Sequence, residues 1–167
     1  MKKIILLACL VCVFAFSAQR VSACSCAEPS PNAFVGFEVS DAVFVGKAIE
    51  VKEVEIPYKN KAGWFTVELE VKFRVERTLK GLEGSEVILR TGSGCCSCGY
   101  EFEKGQKYLV YAYQYKGMLN TNYCTRTKPL AYAAKDLEEI GKRQKEEKKQ
   151  KAKQSLSARR SITSHSR

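Results

Sequence analysis

The chain has 167 residues, 45% of them apolar, and a formal net charge of +10. That length suits one domain, or one domain with a tail, and excludes an α/β-barrel enzyme of about 250 residues. The apolar fraction excludes wholesale disorder, and the net charge taken alone points to a nucleic-acid or membrane-surface partner.

The charge is unevenly placed. Residues 1–23 carry +3, residues 24–141 carry −1 and residues 142–167 carry +8. The part able to fold is almost neutral, so nucleic acid is not an expected partner. The basic character belongs to a leader and a tail.

The leader reads as a secretory signal over residues 1–23. Lys2 and Lys3 precede a 13-residue apolar run from Ile4 to Phe16. This is the length of a signal h-region and too short to cross a hydrocarbon core of about 30 Å. Ser17 to Ala23 ends in Val21-Ser22-Ala23, small residues beside a cut. Cleavage there leaves a secreted, extracellular chain with no transmembrane segment, beginning at Cys24. Two alternatives stand. One is an uncleaved anchor. The other is a surface lipoprotein acylated at Cys24, because Val21-Ser22-Ala23-Cys24 has lipobox-like residues.

Next come the elements of a domain over residues 24–141. Asn32 to Phe37 is a short helical turn after Pro31. Asp41 to Val54 contains Ala42-Val43-Phe44-Val45-Gly46, a strand signal with Gly46 as a bulge or kink. Phe65 to Val75 alternates strictly: Phe65, Val67, Leu69, Val71, Phe73 and Val75 against Thr66, Glu68, Glu70, Lys72 and Arg74. A period of two places one face in a core and the other, with Glu68 and Glu70, in water. Gly81, Gly84 and Ser85 turn into a strand from Glu86 to Arg90. Lys107 to Gln114 is a fourth strand. Lys116-Gly117 turns into a fifth from Met118 to Cys124. Turns rather than helices join these strands, which favours a small antiparallel barrel or sandwich. Pro129 to Ile140 has Leu130, Ala133, Ala134, Leu137 and Ile140 at helical spacing, with Gly141 as a stop. Residues 142–167 are basic and hold no aromatic, so they form a solvated helical extension or a disordered tail. An acidic polysaccharide or anionic surface is the partner that such a tail suits.

Cys9 and Cys12 leave with the leader. Cys24, Cys26, Cys95, Cys96, Cys98 and Cys124 remain. An even number in an exported chain implies disulfides, and the count leaves their pairing open. Cys95, Cys96 and Cys98 also read as soft metal ligands. Against that, zinc sites show two separated pairs, and no histidine precedes His165 to complete one.

The same lack of histidine removes any Cys–His pair or Ser–His–acid triad from the domain. No phosphate-binding glycine loop or dinucleotide fingerprint is present. Tyr108, Tyr111, Tyr113 and Tyr115 are better read as packing residues than as a base-stacking platform. A binding module, not an enzyme, is the expectation.

Cys24-Ser25-Cys26, Pro29 or Pro31, Ala33-Phe34, Ser40-Asp41-Ala42-Val43-Phe44, Cys98-Gly99-Tyr100 and Cys124 resemble one known family. It is the N-terminal inhibitory domain of the tissue inhibitors of metalloproteinases, a netrin-like module. The resemblance covers about residues 24–135. It implies a mainly β fold: a five-stranded closed barrel of the oligonucleotide/oligosaccharide-binding type with flanking helices, here followed by the basic tail. It also implies a protease inhibitor whose partner is a zinc metalloendopeptidase. The α-amino group and carbonyl oxygen of Cys24 would chelate the zinc of that protease, so the chain needs no cofactor of its own. Ser25 would enter the primary specificity pocket. Cys26, Ala27 and Glu28 would follow the cleft, and Cys96 and Ser97 would line the same wedge. Bridges Cys24–Cys98 and Cys26–Cys124 come with the resemblance. The family's third bridge has no counterpart, because Val35 stands at one of its cysteines. A non-inhibitory netrin-like matrix module is the alternative.

Overall fold

Strand formation follows the apolar alternation, and the pairing then decides which strands are buried once and which twice. The computed structural model describes residue 26 and residues 32–57, 63–93 and 97–164, without the side chains of 156–164. The first helix, α1 (Ala33–Val39), is capped by Asn32, whose side chain accepts from the Val35 N–H at 2.8 Å. Two 16-residue strands follow, β1 (Ala42–Pro57) and β2 (Phe65–Lys80), both longer than their alternating cores. They pair antiparallel along their whole length, with register shifts that include one at Val45/Gly46. Gly46 is needed there. A Cβ would sit 3.0 Å from the Arg74 carbonyl oxygen and 3.1 Å from the Phe44 ring.

The remaining strands are β3 (Glu86–Gly92), β4 (Lys107–Tyr115), β5 (Met118–Asn120) and β6 (Lys128–Pro129). Their order in the sheet is β1-β2-β3-β5-β4-β6, and β4 also pairs with β1. Five strands therefore close into a ring, β1-β2-β3-β5-β4 and back to β1. Within it β3 and β5 run parallel and the other pairs antiparallel. The fifth strand ends at Asn120, short of the expected Cys124. Asn122 takes over the chain there by accepting from the N–H groups of Cys124 and Thr125, a side-chain turn that ends the ladder.

Ring closure creates two cores. Inside lie Phe44, Val71, Phe73, Leu89, Phe102, Tyr108 and Val110. The aromatic members meet edge to face, Phe44 on Phe73 at 5.5 Å and Phe102 on Tyr108 at 4.9 Å. Outside, Val43, Val45, Leu109 and Tyr111 pack with Ala33, Ala133 and Ile140 of the helical segments. This accounts for the unbroken apolar runs Ala42-Val43-Phe44-Val45 and Tyr108-Leu109-Val110-Tyr111-Ala112: β1 and β4 are covered on both faces. It also separates the tyrosines. Tyr108 points into the ring and Tyr111 out of it, so the four do not form one stacking face.

The water-facing side of β2 is more structured than alternation suggests. The Glu70 side chain is only 14% exposed and lies between Lys52 at 2.8 Å and Arg90 at 3.5 Å. Those partners stand directly opposite it on β1 and β3. The Lys52 hydrogen bond, above all, holds the Glu70 carboxyl below the usual carboxylate range.

The C-terminal helix begins later and runs further than its spacing predicts. Lys128–Pro129 is strand and Leu130–Tyr132 a 3-10 turn. The helix α2 spans Ala134–Ser164 and passes through Gly141 without stopping. The segments 24–141 and 142–167 are thus joined by one continuous helix. Its first turn is held by Asp136, which is 3% exposed. Arg126 grips that carboxylate with Nε at 3.1 Å and a terminal nitrogen at 3.0 Å; Lys128 lies at 3.0 Å and the Tyr111 hydroxyl donates at 3.1 Å. Burial opposes ionisation of Asp136, but the bonds from Arg126 and Lys128 outweigh it and hold the carboxyl below its ordinary range. Burial and the facing carboxylate push the Tyr111 phenol up.

A depressed carboxyl stabilises the fold above its unfolded value of about 3.9, and that contribution disappears as pH falls through the lower folded value. Asp136→Asn leaves two cations without their anion and should cost about 3 kcal/mol at pH 7. Urea unfolding should show that gap narrowing as pH falls below about 3.9. Gly141 has open space where a Cβ would go. Gly141→Ala should therefore raise stability by about 0.5–1 kcal/mol, read from the same unfolding curves.

Candidate functional site

Three chain segments meet at one end of the ring, and cysteine chemistry joins them. Cys26 is bonded to Cys124 across 98 residues. Closing a loop of that size removes about 4.7 kcal/mol of denatured-chain entropy in the loop-closure model. Cys124 is presented by a fully tied turn. Asn122 accepts from the Cys124 and Thr125 N–H groups and donates to the Tyr113 hydroxyl at 3.1 Å. The buried Thr121 hydroxyl donates to the Tyr111 carbonyl at 2.9 Å, and Thr125 and Thr127 complete a chain of hydroxyls.

The third segment, Ser97 to Tyr100, lies against this turn. The Tyr123 N–H donates to the Cys98 carbonyl at 2.8 Å. Cys98 is also disulfide-bonded. Its backbone sits at φ +51°, a left-handed conformation that a cysteine rarely adopts. Such an outlier persists only where its surroundings impose it. Here the flanking contacts do. The Ser97 hydroxyl donates to the Ser93 carbonyl at 2.7 Å, and Ser93 in turn donates to Val67 of β2 at 3.0 Å. The Tyr100 N–H donates to the buried Thr91 hydroxyl at 2.7 Å. Gly99 runs so close to β3 that a Cβ would collide with the Gly92 carbonyl oxygen. Tyr100 then packs beside Phe102 and Tyr108, and burial pushes its phenol up to about 12.

Of the residues singled out from sequence, Cys26, Ser97, Cys98 and Cys124 therefore share this end. Cys24, Ser25, Ala27, Glu28, Cys95 and Cys96 lie outside the described residues. The Cys26–Cys124 bridge is the one implied by the resemblance. Cys26 and Cys124 are paired with each other, so the partner of Cys98 also lies outside the described residues. A metal reading of Cys95, Cys96 and Cys98 loses Cys98, whose sulfur is already in a disulfide. Among the described residues no group of three or more His, Cys, Asp or Glu side chains is placed to hold a metal ion, and no helix is long and apolar enough to cross a membrane.

Sequence reasoning missed the supports: Thr91, Ser93, Asn122 and the threonines. Asn122, two residues before a cysteine, was the one legible signal, since asparagine builds such turns locally. A scan against protein-family models and a search of curated proteins return no match.

The close approach at Gly99 is directly testable. Gly99→Ala must displace either β3 or the Cys98 segment. It should lower stability by about 2–4 kcal/mol in urea unfolding with disulfides intact. An unchanged midpoint would show that the two backbones are not in contact.

Proposed function

We propose that the chain is a secreted inhibitor of zinc metalloendopeptidases, acting through a mature N-terminus at Cys24. The strand ring is read as a closed barrel of the oligonucleotide/oligosaccharide-binding type, in its netrin-like form. The observation that carries the proposal is the anchoring of Cys26. It is bonded to Cys124, whose turn is hydrogen-bonded to Cys98. A chain starting two residues earlier would leave a rigid edge, with Cys24 and Ser25 at its tip.

The chemistry follows from what a catalytic zinc requires. It keeps one coordination position for water or substrate. An α-amine and the adjacent carbonyl oxygen are a small bidentate donor set able to occupy that position. The amine must be unprotonated to donate, and its reference pKa of about 7.7–8.0 makes this inexpensive near neutral pH. The zinc belongs to the protease. Ser25 would fill the first specificity pocket with a short side chain, and Cys26, Ala27 and Glu28 would continue along the cleft. A second bridge, Cys24–Cys98, would fix the donor atoms themselves. Rigid presentation lowers the ordering cost of binding, which is how a short edge reaches high affinity.

The test is to add one alanine before Cys24 after mass spectrometry has defined the natural terminus. A terminus at Cys24 with a free amine is expected. The extension should weaken inhibition at least 100-fold, about 2.7 kcal/mol, while leaving the unfolding midpoint unchanged. Inhibition that survives the extension, or a terminus that is acylated or begins elsewhere, would refute the mechanism.

A further inference from the structure

The near-neutral charge of residues 24–141 conceals a separation in space. Directly opposed residues of a sheet share a face. Val45 and Leu109 pack outward, on the side taken by the helices. Two residues further along the strands, Lys47 stands opposite both Arg74 of β2 and Lys107 of β4. Three cations thus form one row across the outer face. Arg77, opposite Val45, belongs to the same face. Like charges in directly opposed positions destabilise a sheet, so the row is not explained by folding.

Two acids beside this row are held in ion pairs. Glu76 is bonded to Lys107 at 2.8 Å. Glu86 continues the row on β3, opposite Arg74, but is bonded to Lys72 at 2.6 Å, and the field of Arg74 adds only a minor part to the lowering of its carboxyl. Lys47, Arg74 and Arg77 are left facing solvent or half-exposed.

Helix α2 extends the patch. Gln144 donates to the Leu79 carbonyl at 3.3 Å and holds the helix against β2. Just beyond, Lys148 and Lys151 line an open groove of about 340 Å³ with Thr78, Leu79, Gln144 and Glu147. Leu79, which lines the groove, packs on the outer face and lies two residues from Arg77, so the sheet row and the helix cations share one side.

We propose that this surface binds a linear sulfated polysaccharide, lying along Lys47, Arg74 and Arg77 and entering the groove at Lys148 and Lys151. Lys47 and Arg74 stand opposite each other, Arg77 shares their face, and Lys148 and Lys151 line a groove, an arrangement that suits a polymer with many anionic groups. The exposed aromatics Trp64, Phe65, Tyr115, Tyr123 and Tyr132 do not line the groove, so it offers no stacking platform for single-stranded nucleic acid. From Gly141 to Ser155 the helix carries no large apolar side chain, so it has no stripe to enter a bilayer. The proposal stands whether or not the chain inhibits a protease.

Heparin binding by the full chain tests it, with affinity followed as a function of salt. Arg74→Gln/Arg77→Gln/Lys148→Gln should weaken binding at least tenfold at 0.15 M salt and reduce the salt slope by about 2–3, since each lost ionic contact releases fewer counterions. Lys148→Gln/Lys151→Gln, which leaves the sheet untouched, should show part of this loss. Lys142→Gln/Lys149→Gln/Lys153→Gln removes as much charge from the opposite side of the helix and should change affinity less than about twofold. Equal loss in the two triple variants would reduce the effect to net charge and overturn the site. So would an unmodified chain that does not bind heparin. Tighter binding to a single-stranded oligonucleotide, or to phosphatidylcholine vesicles with about 20% phosphatidylserine, would overturn the class of ligand.

Discussion

β1 is hydrogen-bonded along both edges, to β2 and to β4, and the rest of the structure depends on this double pairing. It closes the ring and gives Phe44, Phe73, Phe102 and Tyr108 an interior. It also covers β1 and β4 on their outer face, where Val43, Val45, Leu109 and Tyr111 need partners and find them in the helical segments. Two cores sharing two strands bury more apolar surface than an open sheet of this length could, at about 25 cal/mol per Å². Over Ala42 to Lys47 the closure leaves β1 no free edge to template association with another chain. Helix α2 is tied to the outer core through Asp136, so the buried ion cluster serves the same closure from outside.

With the ring closed, its two candidate functional regions are set by register. One end gathers Cys26, Cys98 and Cys124. There a turn built by Asn122 and a strained Cys98 are held by hydrogen bonds to β2, β3 and β4. The outer face gathers Lys47, Arg74, Arg77 and the first exposed turns of α2. These regions are chemically unlike, one rigid and cysteine-rich, the other cationic and open. An inhibitor retained by a polysaccharide near its target would use both.

Much of this was legible in the residues. Period-two alternation located β2, and the continuous apolar runs located β1 and β4. The bulge at Gly46 was read correctly, because a glycine inside a strand pattern signals close backbone approach. What was missed has physical reasons. Gly141 reads as a stop in the sequence, yet it ends no helix, because its backbone does not turn left-handed. The fifth strand is shorter than its sequence pattern because a side-chain turn at Asn122 competes with the ladder. Glu70 reads as solvated because alternation reports a face, not the neighbours across it. Lys52 and Arg90 are 18 and 20 residues away in sequence. The cation row was invisible for the same reason: net charge sums over a chain, while register sets charges side by side.

The central claim is that the edge anchored by Cys26 acts at a protease zinc through the residues preceding it. Its most direct measurement is competition at the active site of a zinc metalloendopeptidase between the mature protein and a small hydroxamate chelator. The two should be mutually exclusive: saturating hydroxamate should abolish binding of the protein. A stable ternary complex of protease, hydroxamate and protein would contradict the claim, as would failure of the mature protein to bind any member of a panel of such enzymes.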